Sequence, residues 1–125
     1  MTAVGRERLA ELYGDRVVDE LEFLLRTLDE IELVIQRGWD AYADDVLLQR
    51  AVEGSANRIG DTIRNKVPVK LQNDHLGVDA WSEWVDWRVF LAHHYHRVDP
   101  RRIWQDMIRD VPRFRRFIAE DLLGD

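Results

Sequence analysis

Val17-Val-Asp-Glu-Leu21-Glu-Phe-Leu24-Leu-Arg-Thr-Leu28-Asp-Glu-Ile31-Glu-Leu-Val-Ile35-Gln36 is the stretch whose periodicity decides the fold. Val17, Leu21, Leu24, Leu28, Ile31 and Ile35 recur in alternating steps of four and three. That rhythm puts them on one face of a helix and predicts a seam that packs against other helices. The helical pattern reaches back to Arg6, with Gly14-Asp15 able to interrupt it and set off a short first helix. Gly38 is a natural C-terminal stop. Asp29, Glu30 and Glu32 fall outside the seam and read as a solvated face. The Glu-x-x-His companion that a carboxylate-bridged metal site in a helical bundle needs is absent.

Outward from this seam the chain repeats the pattern. A short connection around Trp39-Asp40 leads to a second helix over residues 44–66, with Leu48, Ala51, Val52, Ile59 and Ile63 as its apolar face. Gly54, Ser55, Ala56 and Gly60 interleave that face and predict close approach of another backbone, since each interior glycine costs a helix about 1 kcal/mol against alanine. Pro68 ends the helix. Residues 67–79 read as a loop holding His75, in an ordinary surface role, and Asp79 reads as the N-cap of a third helix. Trp81, Trp84 and Trp87 follow at three-residue spacing, so a single buried stripe does not accommodate all three, and a subunit interface is a use for the rest. The fourth helix has the clearest start: Asp99 as N-cap, Pro100 at the first position and Val98 stapled onto Ile103. Trp104, Met107, Val111, Phe114 and Ile118 continue its seam, Pro112 should kink or restart it at Asp110, and Gly124 marks its end. The expectation is an all-α, antiparallel four-helix bundle in one domain over residues 1–125, with an extra short helix or kink.

The 125 residues contain no cysteine, which removes disulfides and thiolate ligands, and no signal-peptide core or bilayer-length apolar run, which predicts a cytoplasmic protein. A net charge of −6 argues against broad nucleic-acid binding, which rests on phosphate neutralisation. Arginines nevertheless gather in the second half, at 88, 97, 101, 102, 109, 113, 115 and 116. They read either as a phosphate-facing patch or as a solvated helix face balanced by Asp106 and Asp110.

Chemistry concentrates in Arg88-Val-Phe-Leu-Ala-His93-His94-Tyr95-His96-Arg97-Val98-Asp99. The i, i+4 spacing by which two helical histidines share a metal is missing; His93 and His96 lack a carboxylate to complete a set. Only Ser55 and Ser82 offer a serine nucleophile. Acid–base chemistry on a phosphodiester fits better. A histidine moves protons near neutrality, and an arginine stabilises charge developing on phosphorus. With RNA the internal 2′-hydroxyl is the nucleophile, so neither metal nor cofactor is required. Arg88 and His93 are the natural pair. Five residues apart on an ideal helix, they lie about 140° away from each other. A working pair therefore requires a local bulge, a long arginine reach or a second subunit.

At these residues the sequence resembles the HEPN superfamily, and within it the HepT-like toxins, whose signature is Arg, four residues, His, one residue, Tyr. Here it reads Arg88 to His93 to Tyr95, followed by Val98-Asp99 and Trp104 and preceded by Trp81 seven residues before the arginine. Ala51 to Asp61 resembles the second-helix pattern, with Asp61 after Gly60 where a glutamate is usual. The resemblance spans residues 15–120. It implies a homodimeric helical bundle whose paired motifs line a cleft and act as a metal-independent endoribonuclease. Arg88 and His93 would be catalytic and Asp61 would orient Arg88. Tyr95 would be the residue that a nucleotidyltransferase antitoxin of the type VII, HepT/MNT-like kind modifies with AMP. His94 would either interfere or act as a second proton carrier, and Arg97, Arg101 and Arg102 are the candidate RNA contacts. Two departures stand out: Val89 where a polar residue usually follows the arginine, and His94 where glycine often stands. The alternative is a non-catalytic HEPN-type subunit that docks a nucleotidyltransferase.

Overall fold

The computed structural model describes the backbone of residues 2–94 and 99–125, and the side chains of these apart from 88–94. In chain order the helices are α1 (Arg6–Tyr13), α2 (Val17–Gln36), α3 (Trp39–Asp44), α4 (Val46–Lys66), α5 (Val69–Asp74), α6 (Val78–His94) and α7 (Pro100–Arg116). A π-helical segment, Phe117–Leu123, continues α7. No strand occurs among the described residues. The four long helices expected from the periodicity are present, with three short ones added.

The α2 seam is the centre of the core: Leu21, Leu24, Leu28 and Ile31 have no exposed surface. α2 packs against α4 and α7, and α6 lies against α4. Gly14 separates α1 from α2, as its position in the sequence suggested. Along α4, Val52, Ser55, Ala56, Ile59, Gly60 and Ile63 are buried. Ala51, expected on this face, is exposed, and a Cβ placed on Gly54 would meet nothing closer than the Arg58 guanidinium at 3.7 Å. Gly54 therefore does not mediate a close backbone approach; the small, buried part of the face is Ser55, Ala56 and Gly60.

Several boundaries differ from the sequence expectation, each for a local reason. Trp39-Asp40 begins a helix instead of a plain connection, because Trp39 and Tyr42 turn into the core beside Trp104, with ring centroids 6.1 and 5.4 Å from it. α4 begins at Val46 and not at residue 44, because Asp45 caps it, accepting from the Leu47 amide at 2.8 Å. The expected loop at 67–79 contains α5, which buries Leu71 and Gln72. The Gln72 amide donates to the carbonyls of Ile63 (3.3 Å) and Val67 (3.1 Å), satisfying backbone acceptors that Pro68 leaves at the broken end of α4. Leu76 and Gly77 take positive φ values of 69° and 79° and turn the chain into α6 two residues early. Asp79 thus sits in the first turn of α6, not at its cap. α7 runs through Pro112 without restarting. The proline removes the N–H that would meet the Ile108 carbonyl, but buried Val111 and Phe114 on either side keep the helix against the core. Gly124, left-handed at φ 81°, stops the π-helical segment as expected.

Gly38 ends α2 and opens α3 at φ 87°, ψ 166°, a region open essentially to glycine alone. Nothing lies within 4 Å of a Cβ built there, so backbone strain and not crowding sets the effect of a substitution. Gly38→Ala should lower unfolding free energy by about 1–3 kcal/mol, read from a urea transition with unchanged slope.

The ends of α1 and α5 meet through Tyr13. Its hydroxyl donates to Asp74 Oδ2 at 2.8 Å and lies 3.3 Å from His75 Nε2. His75, read from sequence as an ordinary surface residue, thus helps tie α1 to α5. Burial, reinforced by the hydrogen bond and charge of Asp74, pushes the Tyr13 phenol up to about 12. A folded-state value above the ordinary one means stabilisation that is complete below the unfolded tyrosine range and is lost as pH rises through about 12. Burial raises the Tyr42 phenol as well, so tyrosinate absorbance during a pH titration should show Tyr13 and Tyr42 titrating late, and Asp74→Asn should move only the Tyr13 step downward.

Candidate active site

Backbone and packing fix where the signature stretch sits. α6 is anchored two turns ahead of Arg88 by Trp81 and Trp84. The Trp81 indole nitrogen donates to the His75 carbonyl at 2.8 Å, and its ring meets Phe114 edge-on at 5.2 Å. Trp84 stacks on Phe114 at 5.1 Å and meets Trp87 edge-on at 5.6 Å. Trp81 and Trp84 are buried and Trp87 is half-buried, so one buried stripe does not hold all three, as their three-residue spacing suggested.

The α6 backbone is continuously α-helical from Val78 to His94, so Arg88 and His93 stand on the same helix at positions about 140° apart. The described helix contains no bulge to bring them together. The Arg88, His93 and His94 side chains, and the whole of Tyr95, His96, Arg97 and Val98, lie outside the described residues. The next described residue, Asp99, caps α7 by accepting from the Arg101 amide at 2.9 Å, with Pro100 at the first helical position. Asp61 is exposed on α4 and accepts from the Asn65 amide at 2.9 Å.

The arginines divide. Arg109 bridges Asp110 (2.8 Å) and Asp106 (3.2 Å), and Arg115 pairs with Asp29 on α2; this is the solvated, balanced face. These carboxylates hold both guanidinium groups more firmly protonated than usual. Arg101 lies 4.5 Å over the Trp39 ring. Arg102 is exposed on the first turn of α7.

One feature went unnoticed in the sequence. A groove of about 740 Å³ runs between α6 and α7, floored by Trp84, Trp87, Phe114 and Phe117. The indole nitrogen of Trp87 is buried with no hydrogen-bond partner among the described residues. The signal was there in the Trp84–Trp87 and Phe114–Phe117 pairs, each one helical step apart, but only the packing of α6 on α7 makes them one surface.

A family model described as "Ribonuclease HepT-like" matches residues 24–120. The chain belongs to the HepT-like ribonuclease family. The matched span includes Arg88, His93 and Tyr95, so the HepT-like signature falls inside it. The chain is also similar to a candidate RNase of Caldanaerobacter subterraneus subsp. tengcongensis, 27% identical over 110 residues, which cover 88% of this chain and 91% of that protein. No solved structure gives a significant match. Membership in the HepT-like family supports a HEPN-type toxin assignment and an endoribonuclease role. Among the described residues, no helix is long and apolar enough to cross a membrane.

Proposed function

We propose that this HepT-like chain is a metal-independent endoribonuclease toxin of a type VII toxin–antitoxin pair. The supporting observation is the conjunction of the matched family span with Arg88 and His93 on one helix that Trp81 and Trp84 anchor. The His93 imidazole accepts the proton of an RNA 2′-hydroxyl as its oxygen attacks the adjacent phosphorus. Arg88 neutralises the charge that builds on the phosphorane oxygens. The bond to the 5′-oxygen then breaks as the His93 imidazolium returns a proton to that oxygen, leaving a 2′,3′-cyclic phosphate and a 5′-hydroxyl. The angular separation of the two positions favours a homodimer in which each copy supplies one of the two groups at a given site. Asp61 orients Arg88, His94 is a second proton carrier, and Arg97, Arg101 and Arg102 meet the RNA backbone.

A nucleotidyltransferase antitoxin transfers AMP from ATP to the hydroxyl of Tyr95, two residues beyond His93, with pyrophosphate as the leaving group. The added phosphate brings negative charge and bulk to the position where RNA phosphate must sit. Incubation with such a partner and ATP should abolish cleavage by the native chain and leave the Tyr95→Phe chain active. Equal inactivation of both would place the modification elsewhere.

The test of the ribonuclease reading is cleavage of single-stranded RNA in excess chelator by the native chain, Arg88→Ala and His93→Ala. Products with cyclic phosphate ends from the native chain alone support it; identical behaviour of all three rejects it. The second reading, a non-catalytic subunit that docks a nucleotidyltransferase, is favoured by Val89, which offers no hydrogen-bonding group beside Arg88. It predicts a stable complex and no cleavage at any concentration.

A further inference from the structure

The ribonuclease reading touches the α6–α7 groove only at its Arg102 edge and assigns no role to its aromatic floor. Its floor is aromatic: Trp84, Trp87, Phe114 and Phe117 present ring faces and edges along about two helical turns. Its rim is charged and unbalanced. Among the described residues that line it, five carboxylates (Glu83, Asp86, Asp106, Asp110 and Asp121) face three guanidinium groups (Arg102, Arg109 and Arg113). One of those three, Arg109, is already bound between Asp106 and Asp110.

This combination selects by charge. A polyanion such as RNA meets a net negative rim, so the groove is unsuited to phosphate. A second copy of this chain docked face to face would set the same net-acidic rim against itself, because a two-fold contact opposes identical patches. A cationic side chain gains on both counts. Its charge is opposite to the rim, and its guanidinium or ammonium group can lie over an indole ring. The chain already makes that contact internally, where Arg101 stacks on Trp39. At about 740 Å³ the space takes a few side chains.

We infer that the α6–α7 groove docks a basic segment of a partner protein, with arginine or lysine side chains flanking an apolar anchor. The anchor covers Trp87 and Phe117, the half-buried rings of the floor, and the cations sit between the Trp87 indole and the exposed carboxylates Glu83 and Asp86. Docking is weakened by salt, because part of it is attraction between exposed charges. This inference does not depend on Arg88 or His93, and binding is its readout, so it stands or falls separately from RNA cleavage.

The experiment uses the full chain and an eight-residue probe peptide carrying three arginines and two leucines, followed by tryptophan fluorescence and by the indole N–H resonances. Saturable binding that shifts the Trp84 and Trp87 indole signals is expected. The Glu83→Gln, Asp86→Asn double variant should lose at least about tenfold in affinity, while Asp19→Asn, an exposed change on α2, should leave it unaltered. A matched peptide with glutamates in place of the arginines should not bind. Equal affinity of native and double-variant chains overturns the proposal, as does equal binding of the glutamate peptide. Displacement of the probe by spermine at equal concentration would make the groove a small-cation site, and displacement by an RNA oligonucleotide would make it a nucleic-acid surface; either result refutes a protein segment as occupant. So does a change in oligomeric state in the double variant without a change in peptide affinity, which would assign the groove to a second copy.

Discussion

Arg88→Ala and His93→Ala should each reduce RNA cleavage by about 10²–10⁴-fold, the usual worth of a positioned acid–base group or of one charge-stabilising donor. Urea midpoints within experimental error of the native chain would separate loss of chemistry from loss of fold. The more discriminating result comes from mixing the two inactive chains. α6 holds the two positions about 140° apart without a bulge. If each site takes Arg88 from one copy and His93 from the other, a mixed dimer contains one site with both groups intact. Random pairing at equal concentration should then recover about a quarter of native activity, since half the dimers are mixed and each has one of two sites restored. No recovery on mixing would show that both groups act from one chain. Arg88→Lys should recover only part of the loss, because an ammonium keeps the charge and loses the planar fork.

Trp81→Ala should be the most damaging change in the core. The side chain is fully buried, packs edge-on against Phe114 and Phe117, and donates to the His75 carbonyl. Truncation removes the transfer energy, leaves a cavity and strands a carbonyl, together about 3–5 kcal/mol. That is a large fraction of the total stability of an ordinary domain, about 5–15 kcal/mol. The urea midpoint should collapse, and the chain should be largely unfolded at elevated temperature. Trp81→Phe, which keeps most of the apolar volume and removes the donor, should lose far less. If Trp81→Ala lowered stability by under about 1 kcal/mol, α6 would not be held by this contact and the anchoring argument for Arg88 and His93 would fail.

The long helices were legible because burial on one face imposes a period. The α2 seam from Val17 to Ile31 is buried as its spacing requires, and so are Met107, Val111, Phe114 and Ile118. Asp99-Pro100 was legible because capping is a local event between a side chain and the amide two residues on. The short helices were not. α3 and α5 exist because Tyr42 packs on Trp104, Leu71 enters the core and Gln72 closes the end of α4, which no local pattern announces. Pro112 misled for the same reason, since its local penalty is outweighed by tertiary contacts of its neighbours. Of the site, the residue types were legible and their helix was too. The groove beside them was not, because it is the joint product of two helices that are unremarkable apart: neither Trp84-x-x-Trp87 nor Phe114-x-x-Phe117 means much until α6 lies on α7.

Gln72 bears on where this chain tolerates being opened. Residues 67–77 look in sequence like the natural place to insert a tag, a loop or a new pair of termini. Yet that segment carries a side chain, 6% exposed, whose amide closes the end of α4 from outside the helix. An insertion between Pro68 and Gln72 would draw the amide away and leave two carbonyls facing the interior. The break between α1 and α2 is a different kind of joint. Gly14, Asp15 and Arg16 are exposed; the Val17 amide reaches the Gly14 carbonyl across the turn at 3.3 Å, while the Gly14 amide (to Ala10, 2.9 Å) and the Arg16 carbonyl (from Glu20, 3.1 Å) bond into the flanking helices. Engineering that needs an entry point in this molecule should use the glycine turn and leave the proline turn closed.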